Sequence, residues 1–218
     1  MRGRLHLCPY DALPKHLTGA DNLLDIGCGF GHLAWYLAEI GSPLRYYGTD
    51  IDKRKIDLAS RCSIRPSSNS STGPRFSEAA PPIGFGGSAP PSFSFGDVRE
   101  LANLPDRFGN IVLLDVMYLM PWELQTNIMD WALARLSPGP KSALVIKTMD
   151  EAIGFSGFRT LVQEWIMVYL LRRTRSSGTI NGIRHFAAYL DFAKDRGYQC
   201  EIEHLDSFNP SYILRMHR

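Results

Sequence analysis

Blocks of apolar and polar positions alternate along this chain and predict strands and helices in turn. Short apolar runs predict strands at residues 22–26, 45–50, 92–95, 110–117, 143–148, 198–205 and 212–217. Apolar residues at helical spacing predict helices at residues 33–40, 53–61, 121–136 and 185–196. A short helical turn within residues 10–17 is predicted before the first strand.

The order of these elements indicates the fold class. Strands that alternate with helices are typical of right-handed crossovers and a mostly parallel sheet. The last two strands can form a hairpin only if one of them runs antiparallel. We therefore predict an α/β fold of three layers, a doubly wound, mostly parallel seven-stranded sheet with an antiparallel C-terminal strand. A length of 218 residues is that of one domain, so residues 1–218 are expected to form a single unit.

One internal stretch breaks the alternation. Residues 63–91 are rich in Ser, Pro and Gly and carry few large apolar side chains. Such a composition buries too little surface to order itself, so we predict a disordered surface insertion. A regulated or recognition loop is the alternative, because long structureless loops inside compact domains are uncommon.

A second stretch, residues 154–182, combines an apolar helical stripe with a basic end. Arg172, Arg173 and Arg175 follow this stripe directly. Three interpretations remain open: a helix packed on the core, a lid over a substrate pocket with a basic rim, or a helix lying on a membrane surface. The stripe consists of Phe158, Leu161, Val162, Trp165, Val168 and Tyr169.

Charge and cysteine usage exclude several classes of protein. Lys and Arg number 24 against 22 Asp and Glu, so no overall charge attracts nucleic acid or an anionic membrane. The four cysteines (Cys8, Cys28, Cys62 and Cys200) form no C-x-x-C pair, which disfavours a zinc site or a disulfide framework. No metal is therefore predicted, and a reducing, cytoplasmic compartment is expected. No apolar run approaches the ~20 residues of a membrane-spanning helix.

The main chemical signal is the sequence Asp25-Ile26-Gly27-Cys28-Gly29-Phe30-Gly31, which ends the first strand and opens the first helix. Its spacing, D-x-G-x-G-x-G, differs from the dinucleotide spacing G-x-G-x-x-G. Asp50 ends the next strand, where a carboxylate can accept hydrogen bonds from both ribose hydroxyls of an adenosine. The pattern favours a nucleotide without a pyrophosphate, and it counts against a NAD-dependent oxidoreductase.

Residues 23–37, 47–52, 95–98 and 111–118 resemble the sequential motifs of class I S-adenosylmethionine (SAM)-dependent methyltransferases. The resemblance covers most of residues 22–149 and implies that the chain binds SAM. It implies that Asp25, Gly27, Gly29 and Gly31 surround the methionine part of the cofactor.

The same resemblance assigns the rest of the cofactor site. It implies that Asp50 holds the ribose, that Ile51 packs on the adenine face and that Asp97 and Val98 meet the adenine edge. Asp115 would lie beside the sulfonium-bearing part of the pocket.

Alternatives exist for the three aspartates of this set. Asp50 and Asp97 are each also placed to cap the turn that follows them. An unpaired Asp115 at the end of an apolar strand would be costly, and we expect a bound ligand or a nearby helix N-terminus to relieve that cost.

Methyl transfer from a sulfonium needs alignment and exclusion of water more than it needs a catalytic dyad. A general base is required only if the acceptor loses a proton during attack. Val116 and Met117 stand where methyltransferases of exocyclic or amide nitrogens carry Pro-Pro, so a nucleic acid or a protein amide is disfavoured as acceptor. Tyr118 keeps the aromatic residue of that pattern. Tyr118, His6 and His185 are candidates for acid–base or acceptor contacts, although a lone histidine is more often structural.

The opening residues 3–9 resemble the lead-in of a bacterial subgroup of methyltransferases of unassigned substrate. The predicted function is SAM-dependent methylation of a small or lipid-like acceptor through oxygen, carbon or nitrogen. The alternative is a catalytically inactive SAM-binding protein of the same fold that acts with a partner. Peripheral contact with a membrane and the oligomeric state are left open.

Overall fold

The computed structural model describes residues 10–18, 21–63, 89–149, 184–205 and 211–218. Its strands are β1 (Asn22–Ile26), β2 (Arg45–Asp50), β3 (Ser92–Phe95), β4 (Asn110–Leu114), β5 (Ala143–Met149), β6 (Gln199–Leu205) and β7 (Ser211–His217). Its α-helices are α1 (His32–Glu39), α2 (Lys53–Ser63), α3 (Trp122–Ala134) and α4 (Phe186–Asp195). Short 3₁₀ helices occupy Tyr10–Ala12, Pro14–His16 and Met117–Leu119.

The strands form one seven-stranded sheet in the order β3-β2-β1-β4-β5-β7-β6. All neighbouring pairs from β3 to β5 are parallel, whereas β7 runs antiparallel to both β5 and β6. The predicted fold, with its antiparallel C-terminal strand, is confirmed. The strand order reverses direction between β1 and β4, which is where open α/β sheets bind ligands.

The two faces of the sheet bury separate apolar clusters, because successive side chains of a strand point to opposite faces. Helices α3 and α4 cover the face that carries Leu24, Leu144 and Leu214. Helix α1 and the 3₁₀ helix Pro14–His16 lie near the opposite face, which carries Leu23 and Val145. These two clusters build the three predicted layers.

The main departure from the predicted elements is at the end of β4. The strand was expected to continue to residue 117, but it ends at Leu114 because Asp115 adopts a left-handed backbone conformation with φ 57°. A 3₁₀ helix follows, and Pro121 is the N-cap of α3 instead of lying in its first turn. The chain therefore turns sharply at the carboxyl edge of the sheet, just beside the switch point.

A buried hydrogen-bonded chain fixes this turn against α4. The Tyr189 hydroxyl donates to Gln125 Oε1 at 2.7 Å, and Gln125 Nε2 donates to the backbone oxygen of Met120 at 2.9 Å. Helices α3 and α4 thus hold the segment after β4 in position.

Residues 10–18 are held on the sheet by what we call the N-terminal clamp, formed by Lys15, His16 and Glu203. Lys15 Nζ lies 2.6 Å from Glu203 Oε1, and His16 Nε2 lies 2.7 Å from Glu203 Oε2. Leu13, fully buried, anchors the same segment in the apolar cluster beside α1.

We expect acidification to loosen the N-terminal clamp. The Lys15 ammonium, with a smaller contribution from His16, lowers the pKa of Glu203. The ionised Glu203 side chain therefore stabilises the folded protein above the ordinary glutamate pKa. This stabilisation is lost as pH falls through the lowered pKa. At neutral pH, Glu203→Gln should make the amides of His16 and Leu17 exchange about two- to fivefold faster, since a partly exposed ion pair contributes little. Hydrogen exchange measures this, with the exposed Glu39→Gln as control. Equal exchange in all three proteins would contradict the clamp.

Three predictions fall outside the described ranges. Residues 64–88, which make up most of the predicted insertion at 63–91, are not described, nor is the predicted lid at 154–182 or the candidate His6. Among the residues that the structure does describe, no helix is long and apolar enough to cross a membrane.

Candidate functional site

The glycine-rich loop between β1 and α1 lies at the carboxyl edge of the sheet, at the switch point. Its first two amides, those of Gly27 and Cys28, donate to the backbone oxygen of Thr49 at 2.8 and 2.9 Å. The loop closes with a bond from the Gly31 amide to the Cys28 oxygen at 3.0 Å, directly before α1 begins. The end of β2 therefore fixes the shape of the loop.

Asp50 is the side chain that ties the loop to β2. Its Oδ2 accepts from the Gly29 amide at 2.9 Å, and its Oδ1 accepts from the Asp52 amide at 2.8 Å. The alternative of a turn cap is therefore seen in the structure. A carboxylate oxygen can accept more than one hydrogen bond, so the capping bonds are compatible with a role in ribose binding.

Close packing explains why the loop needs glycine at two positions. A Cβ on Gly27 would lie 2.5 Å from Val116 Cγ1, and one on Gly31 would lie 2.7 Å from the Phe93 ring. Both residues also have a positive φ, at 77° and 73°. The contact of Gly27 with Val116 places the residues after β4 directly against the loop.

Asp25 is buried, with 3% of the residue exposed. The Tyr46 hydroxyl donates to its Oδ2 at 2.5 Å. Burial, with a smaller contribution from the charge of Asp50, raises the pKa of Asp25 to about 7, although the bond from Tyr46 acts against that rise. In this structure the Asp25 carboxyl is turned to Tyr46 within the protein and supports the base of the loop.

Exposed apolar side chains lie beside Asp50 at the same edge. Ile51 is 58% exposed and Phe95 is 51% exposed. Phe95 pairs with Asp50 in the register of β2 and β3, and Ile51 follows Asp50 directly. Two exposed apolar side chains that flank a carboxylate suit a ligand with a flat ring next to a hydroxylated sugar. The sequence analysis named Ile51 as a candidate and did not name Phe95.

The next predicted contacts, Asp97 and Val98, follow β3. Asp97 accepts from the Arg99 backbone amide at 3.0 Å, and Arg99 Nη2 lies 2.5 Å from its Oδ2. The Arg99 guanidinium lowers the pKa of Asp97. The turn-cap alternative is thus present here too, and the Val98 side chain is buried in the core.

Asp115 has a protein partner that the sequence analysis did not foresee. Lys147 Nζ lies 2.5 Å from Asp115 Oδ1, and the Asp115 amide donates to the Lys147 backbone oxygen at 2.9 Å. The sequence analysis expected a ligand or a helix N-terminus to relieve the cost of this carboxylate, and in the structure the neighbouring strand β5 supplies a cation. The available signal was a lone lysine in the otherwise apolar run of β5.

The candidate acceptor contacts Tyr118 and His185 lie on different elements of the fold. Tyr118 lies in the 3₁₀ helix after β4 and is buried. His185 is the exposed N-cap of α4; its Nδ1 accepts from the Ala187 amide at 3.3 Å, and its ring lies against Phe186. The structure gives His185 a capping role and leaves Tyr118 beside the switch point.

An open groove of about 580 Å³ is lined by side chains of both α3 and α4. Trp122 and Phe192 contribute apolar surface to it, and Arg184 and Asp191 contribute charges. The groove is a feature apart from the glycine-rich loop. Among the described residues, no group of three or more His, Cys, Asp and Glu side chains is placed to hold a metal ion.

The structure is an α/β sheet with a glycine-rich loop at its switch point. A family described as methyltransferase domain matches residues 4–210, and the chain belongs to this family. The prediction of a class I methyltransferase, an enzyme with SAM as its methyl donor, is confirmed. No curated protein sequence matches the chain significantly.

Solved structures of methyltransferases share the fold at low sequence identity. Magnesium protoporphyrin IX methyltransferase (ChlM) from Synechocystis PCC 6803 with bound SAH, the demethylated product of SAM, is 18% identical with a TM-score of 0.62, covering 96% of this chain and 80% of that one. The mitomycin 7-O-methyltransferase MmcR is 16% identical with a TM-score of 0.63, covering 93% of this chain and 50% of that one. The plantazolicin methyltransferase BpumL in complex with SAH is 11% identical with a TM-score of 0.61, covering 97% and 83%.

Proposed function

We propose that this enzyme transfers the methyl group of SAM to a small-molecule or peptide acceptor at the edge between the glycine-rich loop and the end of β4. The observation that carries the proposal is Asp50, which bonds to the loop and is flanked by two exposed apolar side chains. When bound, SAM supplies an electrophilic methyl group on a positively charged sulfur.

The described residues fit SAM part by part. Asp50 keeps lone pairs for the ribose hydroxyls, and Ile51 and Phe95 offer apolar surface to the adenine. Gly29, whose added Cβ would meet no atom within 4 Å, leaves the loop backbone accessible to the methionine part. Asp97 and the Val98 backbone are proposed to meet the adenine edge.

Asp25 would act indirectly. Because its carboxyl is bonded to Tyr46 inside the protein, it supports the loop that surrounds the methionine part. Alignment of the acceptor with the methyl group, and exclusion of water from between them, would then provide most of the rate enhancement.

The acceptor side is proposed to lie at Tyr118, and Asp115 is proposed to lie beside the sulfur of SAM. Named neighbours of this fold methylate a magnesium porphyrin, mitomycin and plantazolicin, which are small molecules or peptide products. This range supports a small-molecule or peptide acceptor and does not favour the inactive alternative. A lipid-like acceptor, peripheral membrane contact and cytoplasmic localisation are further parts of the proposal; the free thiols of Cys28 and Cys200 support a reducing compartment.

Calorimetric titration with SAM and SAH tests the cofactor site. The wild type should bind both ligands, and Asp50→Ala should weaken both by about ten- to a hundredfold, since bonds to a charged group contribute about 1.5–3 kcal/mol. Asp57→Ala, which removes an exposed aspartate of α2 paired with Lys53, is the matched control and should change the affinity less than twofold.

Two outcomes would overturn the proposed function. A folded wild type that binds NADH and neither SAM nor SAH would exclude methyl transfer. Tight SAM binding with no transfer of labelled methyl to phenols, carboxylic acids, amines or thiazole peptides would instead favour the inactive, partner-dependent alternative.

A further inference from the structure

The least expected charge in the described core is Lys147. Its side chain is 3% exposed in the middle of the sheet, and its ammonium is paired with the carboxylate of Asp115. A buried ammonium without a partner is strongly destabilising, and Asp115 supplies that partner here. An apolar residue at this position of β5 would destabilise the fold less than a buried charge does. The charge of Lys147 therefore points to a role in the proposed cofactor site.

The pair lies where β4 ends at the carboxyl edge of the sheet. The Asp115 side chain is 30% exposed, ten times as much as that of Lys147, so the carboxylate is the more accessible member of the pair. Asp115 has the left-handed backbone conformation that ends β4. The next residue, Val116, touches the glycine-rich loop at Gly27.

The charge of a cofactor sulfur differs before and after methyl transfer. SAM carries a positive sulfonium, whereas SAH carries a neutral thioether of nearly the same shape. A fixed charge beside the sulfur therefore changes the affinity for SAM and leaves the affinity for SAH nearly unaltered. The Lys147–Asp115 pair is neutral overall, so the electric field that it produces around it is small. Its carboxylate is the more exposed end of the pair.

We propose that Lys147 is a positioning residue that, through Asp115, sets the preference of the enzyme for SAM over SAH. Lys147 holds the carboxylate in place and cancels most of its charge, so that SAM is not bound far more tightly than SAH. This inference rests on the proposed cofactor site, and it assigns Asp115 and Lys147 to the sulfur end of that site.

The proposal makes predictions of opposite sign for the two partners. Lys147→Met leaves the Asp115 carboxylate uncompensated and should raise the ratio of SAM to SAH affinity about tenfold. Asp115→Asn leaves the buried ammonium uncompensated and should lower the ratio by a similar factor. A purely structural role would change both affinities together and leave their ratio unaltered.

The test is calorimetric titration of each protein with SAM and with SAH at pH 7. Lys147→Arg keeps the charge and should restore a ratio close to that of the wild type. Lys53→Met, which removes an exposed lysine of α2, is the surface control. Lys147→Gln removes the charge and keeps a donor toward Asp115, so it replaces Lys147→Met if circular dichroism shows that variant to be unfolded.

The outcomes separate this inference from the proposed function. Ratios within twofold of the wild type for the neutral Lys147 variants would overturn the inference while leaving the cofactor site intact. Shifts of the same sign for the Lys147 and Asp115 variants would also overturn it. Failure of the folded wild type to bind either ligand would refute the proposed function itself.

Discussion

Replacing Gly27 by alanine should lower the free energy of unfolding by about 2–5 kcal/mol. The left-handed conformation of this residue costs about 1–2 kcal/mol for any residue with a Cβ. The added methyl group would lie 2.5 Å from Val116 Cγ1, and such overpacking costs about 1–3 kcal/mol more. Urea denaturation monitored by circular dichroism measures the change.

Gly41→Ala is the matched control for this variant. Gly41 has a similar φ of 69°, but no atom lies within 4 Å of its added Cβ. It should therefore show the conformational cost alone, about 1–2 kcal/mol. Equal losses for the two variants would mean that the contact with Val116 is not tight.

Replacing Asp25 by asparagine should change how stability depends on pH. The pKa of Asp25 is raised to about 7 in the folded protein, from 3.8 in an exposed carboxyl, chiefly by burial. The folded state therefore keeps this proton longer than the unfolded state, and the group lowers stability as pH rises from about 4 to 7. A difference of about 3 pKa units corresponds to about 4 kcal/mol over that window.

Comparison of urea denaturation for the wild type and Asp25→Asn at several pH values isolates this group, because the other carboxyls contribute equally to both proteins. The advantage of the variant should grow toward pH 7 and then level off. Tyr46→Phe removes the hydrogen bond that favours the ionised form, so it should move the levelling point to higher pH. Parallel curves for the wild type and Asp25→Asn would show that Asp25 is not protonated at mildly acidic pH.

The sequence predicted the core of the fold because strand and helix periods differ clearly here. The bounds of β2 and β3 agree with the prediction to the residue. The prediction was wrong at the end of β4, where apolar residues continue past Leu114 but the backbone does not. Asp115 breaks the strand by its backbone conformation, which hydrophobic periodicity does not encode.

Candidate site residues could be predicted from the sequence where their place depends only on their own position along the chain. The glycine-rich loop and Asp50 follow from spacing along the chain. The partners of Asp25 and Asp115 do not, because Tyr46 and Lys147 reach them from neighbouring strands. Sequence spacing alone does not say which side chains of two strands face each other.

The place of β7 in the sheet has a consequence for synthesis on the ribosome. β7 is the last of the described strands in chain order but lies between β5 and β6, where Tyr212, Ile213 and Leu214 are fully buried. While residues 211–217 remain in the exit tunnel, β6 has no partner strand and one edge of β5 stays exposed. Unpaired edges of this kind template aggregation. The nascent chain should therefore depend on chaperones until β7 has emerged and paired.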